Sequence, residues 1–342
     1  MEDRSIAVVI PYFGKLPSWF NLFLLSASKT QKIDFILFTD DITYFDYPAN
    51  FKVHILSFQE FQQIFYDKLG NIYLGYPYKI CEYKPCYGYV LGKYLSEYKF
   101  WGHCDIDLIF GDIDRYLDKI PLDDYDRVFT YGHLSIYRNN EKVNSAFKLE
   151  LGAEFPKIMR FSAVSQMTYI CNFDEVGINV IMKEFGFKIF DKSFFGNVNE
   201  NFKKYRINSG VYDYPTILIY DGNKIFELKK KELEVEHNEL IYIHFQNRKK
   251  INIDTSISND FILSDEGFVR YDSNCLEEYF DTLGQKESDE DQKEYYKNLL
   301  FNRRKKTVSQ LIREMKYSKI AFVSQLLILI HASRWLAKNN IR

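Results

Sequence analysis

Cysteine is scarce and does not pair in pattern. Five residues (Cys81, Cys86, Cys104, Cys171 and Cys275) occur among 342, with no Cys-x-x-Cys. An odd number without close pairs argues against a disulfide framework and a cysteine-built zinc site, and suits a reducing cytoplasm. Long apolar runs are missing too: no uninterrupted stretch reaches the roughly 18 residues that span a bilayer. Met1-Glu2-Asp3-Arg4 carries acids and leads straight into an apolar run, so no signal peptide is expected. Internal repeats are absent, and no glycine-rich phosphate loop follows the first apolar run near Ile10.

What is present is ample material for a core: 46% hydrophobic and 18% aromatic residues, with 30 Phe and 27 Tyr. The net charge of −2 conceals an asymmetry. Residues 303–342 carry ten Lys/Arg against one acid, Glu314, so the remaining 35 basic and 46 acidic residues balance at −11. An acidic body excludes nucleic acid as a partner, whereas the basic tail wants a negative surface.

Along the chain, Ser5–Ile10, Ile33–Phe38 and Phe51–Leu56 read as strands, with Pro11 stopping the first. Helices are expected from Pro17 to about Lys29 and from about Phe58 to Leu69. Short loops join them. That rhythm is α/β with a mixed, mostly parallel sheet flanked by helices. A hairpin is expected at Asp221-Gly222, and Glu239–Phe245 reads as one buried strand. Residues 1–284 form one domain in this reading, 285–302 an acid-rich linker, and 303–342 a basic amphipathic helix. Its dense apolar face, basic polar face and late Trp335 suit an interfacial helix on anionic lipid, or packing against the body or a second copy.

The chemistry centres on Trp101-Gly102-His103-Cys104-Asp105-Ile106-Asp107. Asp-x-Asp by itself is most often a solvated turn. Here both aspartates emerge from an apolar run, at or just past a strand end and pointing to one side. Two adjacent carboxylates are tolerated where a cation or hydrogen-bond donors offset their repulsion. Tyr12 and Thr39-Asp40 also fall at strand carboxyl ends, where ligands bind in parallel α/β sheets. Lys84 is a surface lysine by default and a diphosphate or acid partner by position. His133 reads as a hydrogen-bonding pocket residue. Asp174-Glu175 opens a helix, where capping alone would account for both acids. His244, followed by Arg248, Lys249 and Lys250, stands at the edge of an anion-binding site.

The ordered set Pro11-Tyr12-Phe13, Thr39-Asp40-Asp41, Tyr83-Lys84-Pro85, the Asp105–Asp107 stretch, Gly132-His133-Leu134, Phe173-Asp174-Glu175 and Ile243-His244-Phe245-Gln246 resembles a bacterial group of capsule and lipopolysaccharide glycosyltransferases. Members are often described only as a domain of unknown function. More broadly it resembles nucleotide-sugar glycosyltransferases of the GT-A fold. The resemblance covers about residues 5–250. It implies that Pro11–Phe13 and Thr39-Asp40 hold the base and ribose of a donor. By the same likeness Asp105 and Asp107 hold a divalent cation, with His244 as a third ligand, and Arg248 and Lys250 stand near the diphosphate. Asp174 and Glu175 would face the transferred sugar. The longer His-x-x-Gly-x-x-Lys-Pro-Trp tail of one retaining group is not found, so both stereochemical outcomes stay open.

The chemistry agrees: a nucleoside diphosphate leaving group gathers negative charge that Mn²⁺ or Mg²⁺ stabilises, and an imidazole tilts the choice towards Mn²⁺. The sequence therefore reads as a cytoplasmic UDP-sugar-dependent hexosyltransferase, peripheral at the inner membrane face. Its acceptor would be a lipid-linked oligosaccharide; an oligomer is compatible. Alternatives are a metal-dependent sugar nucleotidyltransferase, weakened by the missing phosphate loop, a hydrolase, and a non-catalytic sugar-binding protein.

Overall fold

The computed structural model describes residues 4–192, 195–198, 214–232, 234–246, 252–253, 259–264 and 267–284, and singly 290, 293 and 297. The linker and tail expected over 285–302 and 303–342 otherwise lie outside the described residues, as do Arg248 and Lys250. The strands in chain order are β1 Ile6–Tyr12, β2 Ile33–Thr39, β3 Phe51–Ile55, β4 Phe100–Cys104, β5 Leu108–Phe110, β6 Arg127–Tyr131, β7 Leu134–Arg138 and β8 Ile189–Phe190. They continue with β9 Gly196–Asn197, β10 Thr216–Asp221, β11 Lys224–Lys231, β12 Glu234–Leu240, β13 Tyr242–His244, β14 Asn252–Ile253, β15 Asp260–Ser264 and β16 Gly267–Arg270.

Seven strands form the central sheet in the order β3-β2-β1-β4-β7-β6-β8. β7 alone runs antiparallel to its neighbours, so the sheet is mostly parallel, as the sequence predicts. β2 is buried along its whole length and β4 likewise, which is why they read as continuous apolar runs: parallel strands are covered on both faces. On one face Ile6, Val8 and Ile10 pack with the helix Phe20–Ala27 and with side chains of the second sheet, such as Tyr220 and Phe261. On the other, Ala7 and Val9 pack with the helix Phe58–Leu69 and the segments around Tyr83, Phe161 and Ile181. The Phe58–Leu69 helix starts where Ser57 and Glu60 form a reciprocal capping box.

A second sheet, β12-β11-β10-β15-β16-β14, is antiparallel except for the β14–β16 pair. The expected hairpin joins β10 to β11, with Gly222 at φ +64 in the left-handed region its turn requires. A small third sheet has the order β5-β13-β9.

Two local readings change. β1 continues through Pro11 instead of stopping there, pairing Pro11 with Phe38 of β2. Its pairing with β4 ends at Val9, so a residue with no N–H costs no bond on that side. The apolar run Glu239–Phe245 is two strands broken at Ile241, the first in the antiparallel sheet and the second in the small one. An unbroken apolar run carries no mark of a change of sheet. Among the described residues, no helix is long and apolar enough to cross a membrane.

Candidate active site

β4 ends at Cys104 and β5 begins at Leu108, so Asp105-Ile106-Asp107 is the step by which the chain leaves the central sheet for the small one. Both aspartates stand beyond the carboxyl end of a parallel strand. Backbone bonds fix the step: the Asp105 N–H donates to the His133 carbonyl at 3.0 Å, and the Phe245 N–H to that of Asp107 at 3.0 Å. The second bond brings the end of β13 alongside, and His244 with it. One donor atom each from Asp105, Asp107 and His244 then lies within 4.8 Å of the others. Two carboxylates and an imidazole at that spacing could hold a divalent cation.

His244 is oriented for it. Its Nε2 stands 3.4 Å from Asp107 Oδ1, and its Nδ1 is 2.9 Å from Asn197 Oδ1. That oxygen also accepts from Gln246 Nε2 at 2.9 Å. An amide oxygen only accepts, so Nδ1 donates and Nε2 faces the carboxylates. Burial acts to lower the His244 pKa, but the adjoining Asp107 outweighs it and the net direction is upward. His133 stacks on the His244 ring at 4.4 Å and 12°, with its own Nε2 3.1 Å from the Tyr242 hydroxyl. Asn197 was not singled out from sequence; Gly196-Asn197-Val198 carries no pattern that would mark it. Asn197→Ala should weaken Mn²⁺ affinity about 10- to 100-fold by freeing the ring. Calorimetric Mn²⁺ titration checks this, and unchanged affinity would show that Asn197 does not hold the imidazole.

Lys84 lies on the other side of the cluster. Its Nζ donates to Asp105 Oδ1 at 2.6 Å and to the Gly132 carbonyl at 2.7 Å, and stands 3.6 Å from Asp174 Oδ2. Burial acts to lower its pKa, yet Asp105 and its neighbours hold the ammonium well above the usual range. Burial also raises the carboxyls of Asp174 and Glu175, Lys84 and Arg127 acting in the opposite sense. Gly132 permits this crowding, since a Cβ there would come within 2.9 Å of Asp174 Oδ2. Asp174 and Glu175 sit in a single π turn, Phe173–Gly177, ahead of the helix Ile178–Glu184. Arg127, wholly buried, donates to Asn179 of that helix and to Ser135 Oγ, and lies over the Tyr137 ring.

A family model described as "Family of unknown function (DUF6625)" matches residues 8–272. The chain belongs to this family. Among curated proteins no sequence matches. Among solved structures this DUF6625 chain is similar to the galactosyltransferase LgtC, determined with donor and acceptor sugar analogs. The identity is 12% and the TM-score 0.32, over 56% of this chain and 75% of that one.

The DUF6625 chain places the remaining sequence candidates as follows. Tyr12 ends β1 and its hydroxyl is pushed up by burial, then by Asp107 and Asp41. Phe13 packs on Phe58 and Phe61 at 5.4 and 5.2 Å. Thr39 is fully buried, its Oγ1 accepting from the Asp41 N–H at 3.1 Å. Asp40 Oδ1 accepts from the Gly14 N–H at 2.6 Å, tying the β1 loop to the β2 end.

Sequence reading also passes over Glu82 and Lys79, which are buried to 0% exposure. Glu82 Oε1 accepts the backbone N–H groups of Cys171 and Asn172 at 2.9 and 2.7 Å, so it anchors the segment that leads into the π turn. Burial pushes its carboxyl up to about 7, against the pull of Lys79. A folded pKa above the unfolded value means that the folded chain holds more protons between about 4.5 and 7. Stability from this group is therefore present at low pH and declines across that window. Glu82→Gln should flatten this decline, which amounts to a few kcal/mol in the native protein. Urea midpoints at pH 5 and 8 test it; an equal slope in both proteins would count against it.

Proposed function

We propose that this protein is a metal-dependent glycosyltransferase of the GT-A type, moving a hexose, galactose or glucose, from a UDP-sugar to a growing surface polysaccharide. The observation that carries this reading is the convergence of Asp105, Asp107 and His244 beyond the carboxyl end of β4. A cation held by these three would act as a Lewis acid towards the charge of a departing nucleoside diphosphate. The ends of β1 and β2, with Tyr12 and Asp40, offer the nucleotide a place next to it. Lys84 keeps one oxygen of Asp105 engaged, which orients the other. Asp174 is already within reach of Lys84, so Glu175, less deeply buried, is the carboxyl available to the transferred sugar. Arg248 and Lys250 supply further positive charge for the diphosphate. The ten cations of residues 303–342 suit an anionic membrane surface, where a lipid-carried acceptor would sit.

Calorimetric titration of UDP with and without Mn²⁺ is the direct test. Binding that requires the metal is expected. Absence of UDP binding under both Mn²⁺ and Mg²⁺ would overturn the reading.

A further inference from the structure

Lys84 lies on a 3₁₀ helix, Pro77–Cys86. With three residues per turn, side chains at i and i+3 eclipse one another, so Tyr78, Cys81 and Lys84 form one line along it. The line ends at the Lys84 ammonium, 2.6 Å from Asp105. It begins at Tyr78, which is 67% exposed. Among the described residues Tyr78 stacks on no other ring, unlike most aromatic side chains around it. A large aromatic ring left open to water beside a built polar site is a feature that core packing does not require.

From this geometry we propose that Tyr78 is the platform on which the acceptor sugar lies, its ring packing against the apolar C–H face of a pyranose. The assignment rests on the glycosyltransferase reading above. Two tyrosines flank the carboxylate cluster. Tyr12 stands on the side of Asp107 and Asp41, at the strand ends given to the nucleotide. Tyr78 stands on the side of Asp105 and Asp174. The residue is largely open to water, while burial around its hydroxyl, and behind it the Asp105 carboxylate, push that hydroxyl up to about 12. An exposed ring on the same helix line as the Lys84 that holds Asp105 suits the ligand that must meet the donor there, and a tyrosine gives up only two side-chain torsions in binding it.

The test uses the full-length protein with UDP-galactose and UDP-glucose, Mn²⁺, and a panel of methyl hexosides and lactose, with UDP release as the readout. Tyr78→Ala should raise the KM for the accepted sugar about tenfold, the scale of one aromatic contact. Tyr78→Phe, which keeps the ring, should stay within about twofold. Calorimetry should give both variants the native Mn²⁺-dependent affinity for UDP. An unchanged acceptor KM in Tyr78→Ala overturns the proposal, as does a Phe variant as impaired as the Ala variant. Loss of UDP affinity in Tyr78→Ala overturns it by moving the residue to the donor side. Native protein that binds UDP but responds to no sugar in the panel also counts against Tyr78. Native protein that binds no UDP sinks the glycosyltransferase reading itself.

Discussion

Asp107→Ala should abolish Mn²⁺-dependent UDP binding and lower transfer by about a thousandfold or more. The side chain stands opposite the His244 Nε2 at 3.4 Å, while its carbonyl is what accepts the Phe245 N–H. Alanine keeps that backbone bond, so the join between β13 and the Asp105–Asp107 step survives while one ligand disappears. Electrostatic stabilisation of a leaving diphosphate by a cation contributes several kcal/mol, and each 1.4 kcal/mol is about tenfold in rate. Calorimetry gives the binding loss and product assays the rate; an unaltered far-UV spectrum separates both from unfolding. A variant that still bound UDP in a metal-dependent manner would place the cation elsewhere.

Lys84→Met is expected to have the largest effect on stability, a loss of about 3 kcal/mol in metal-free buffer at neutral pH. The ammonium contacts Asp105, the Gly132 carbonyl and the neighbourhood of Asp174 from a position only 6% exposed. Methionine fills much of the same volume but leaves carboxylates without a counter-charge. The Asp174 carboxyl is already raised by burial, and loss of Lys84 removes the influence that lowers it. The folded variant then takes up protons that the unfolded chain does not hold, so its stability should fall as pH rises from 5 to 7 more steeply than in the native protein. Urea midpoints at both pH values measure this. Adding Asp105→Asn to Lys84→Met should restore part of the loss, because the two groups interact directly. A loss below about 1 kcal/mol would mean that solvent screens these charges far more than their burial implies.

Much of the architecture is legible in the chain because the parallel strands are covered on both sides. β1, β2 and β4 therefore appear as unbroken apolar runs, and the Asp-x-Asp pair stands out by terminating one of them. His244 is legible for the same reason, as a polar residue closing an apolar run. Elsewhere the sequence is silent for physical reasons. Glu82 and Lys79 look like surface residues, since charge pattern alone does not reveal that a carboxylate is enclosed by backbone N–H groups. The 3₁₀ helix at Pro77–Cys86 holds a proline inside it and a weak periodicity, so only its position before β4 is readable. Asn197 gains its role from a two-residue pairing with β13, a contact between distant segments that leaves no local trace.

The step at Asp105-Ile106-Asp107 has a consequence for how competence arises. The carboxylates leave the central sheet, and the imidazole arrives on a strand of the small sheet much later in the chain. Until β5 and β13 have paired, the two carboxylates are neighbours in the chain but the imidazole is remote from them, so the three-donor set is incomplete. A cation that binds only the completed set would then add stability as the logarithm of one plus its concentration over its dissociation constant. An ion bound by all three would therefore report that β5 and β13 have met.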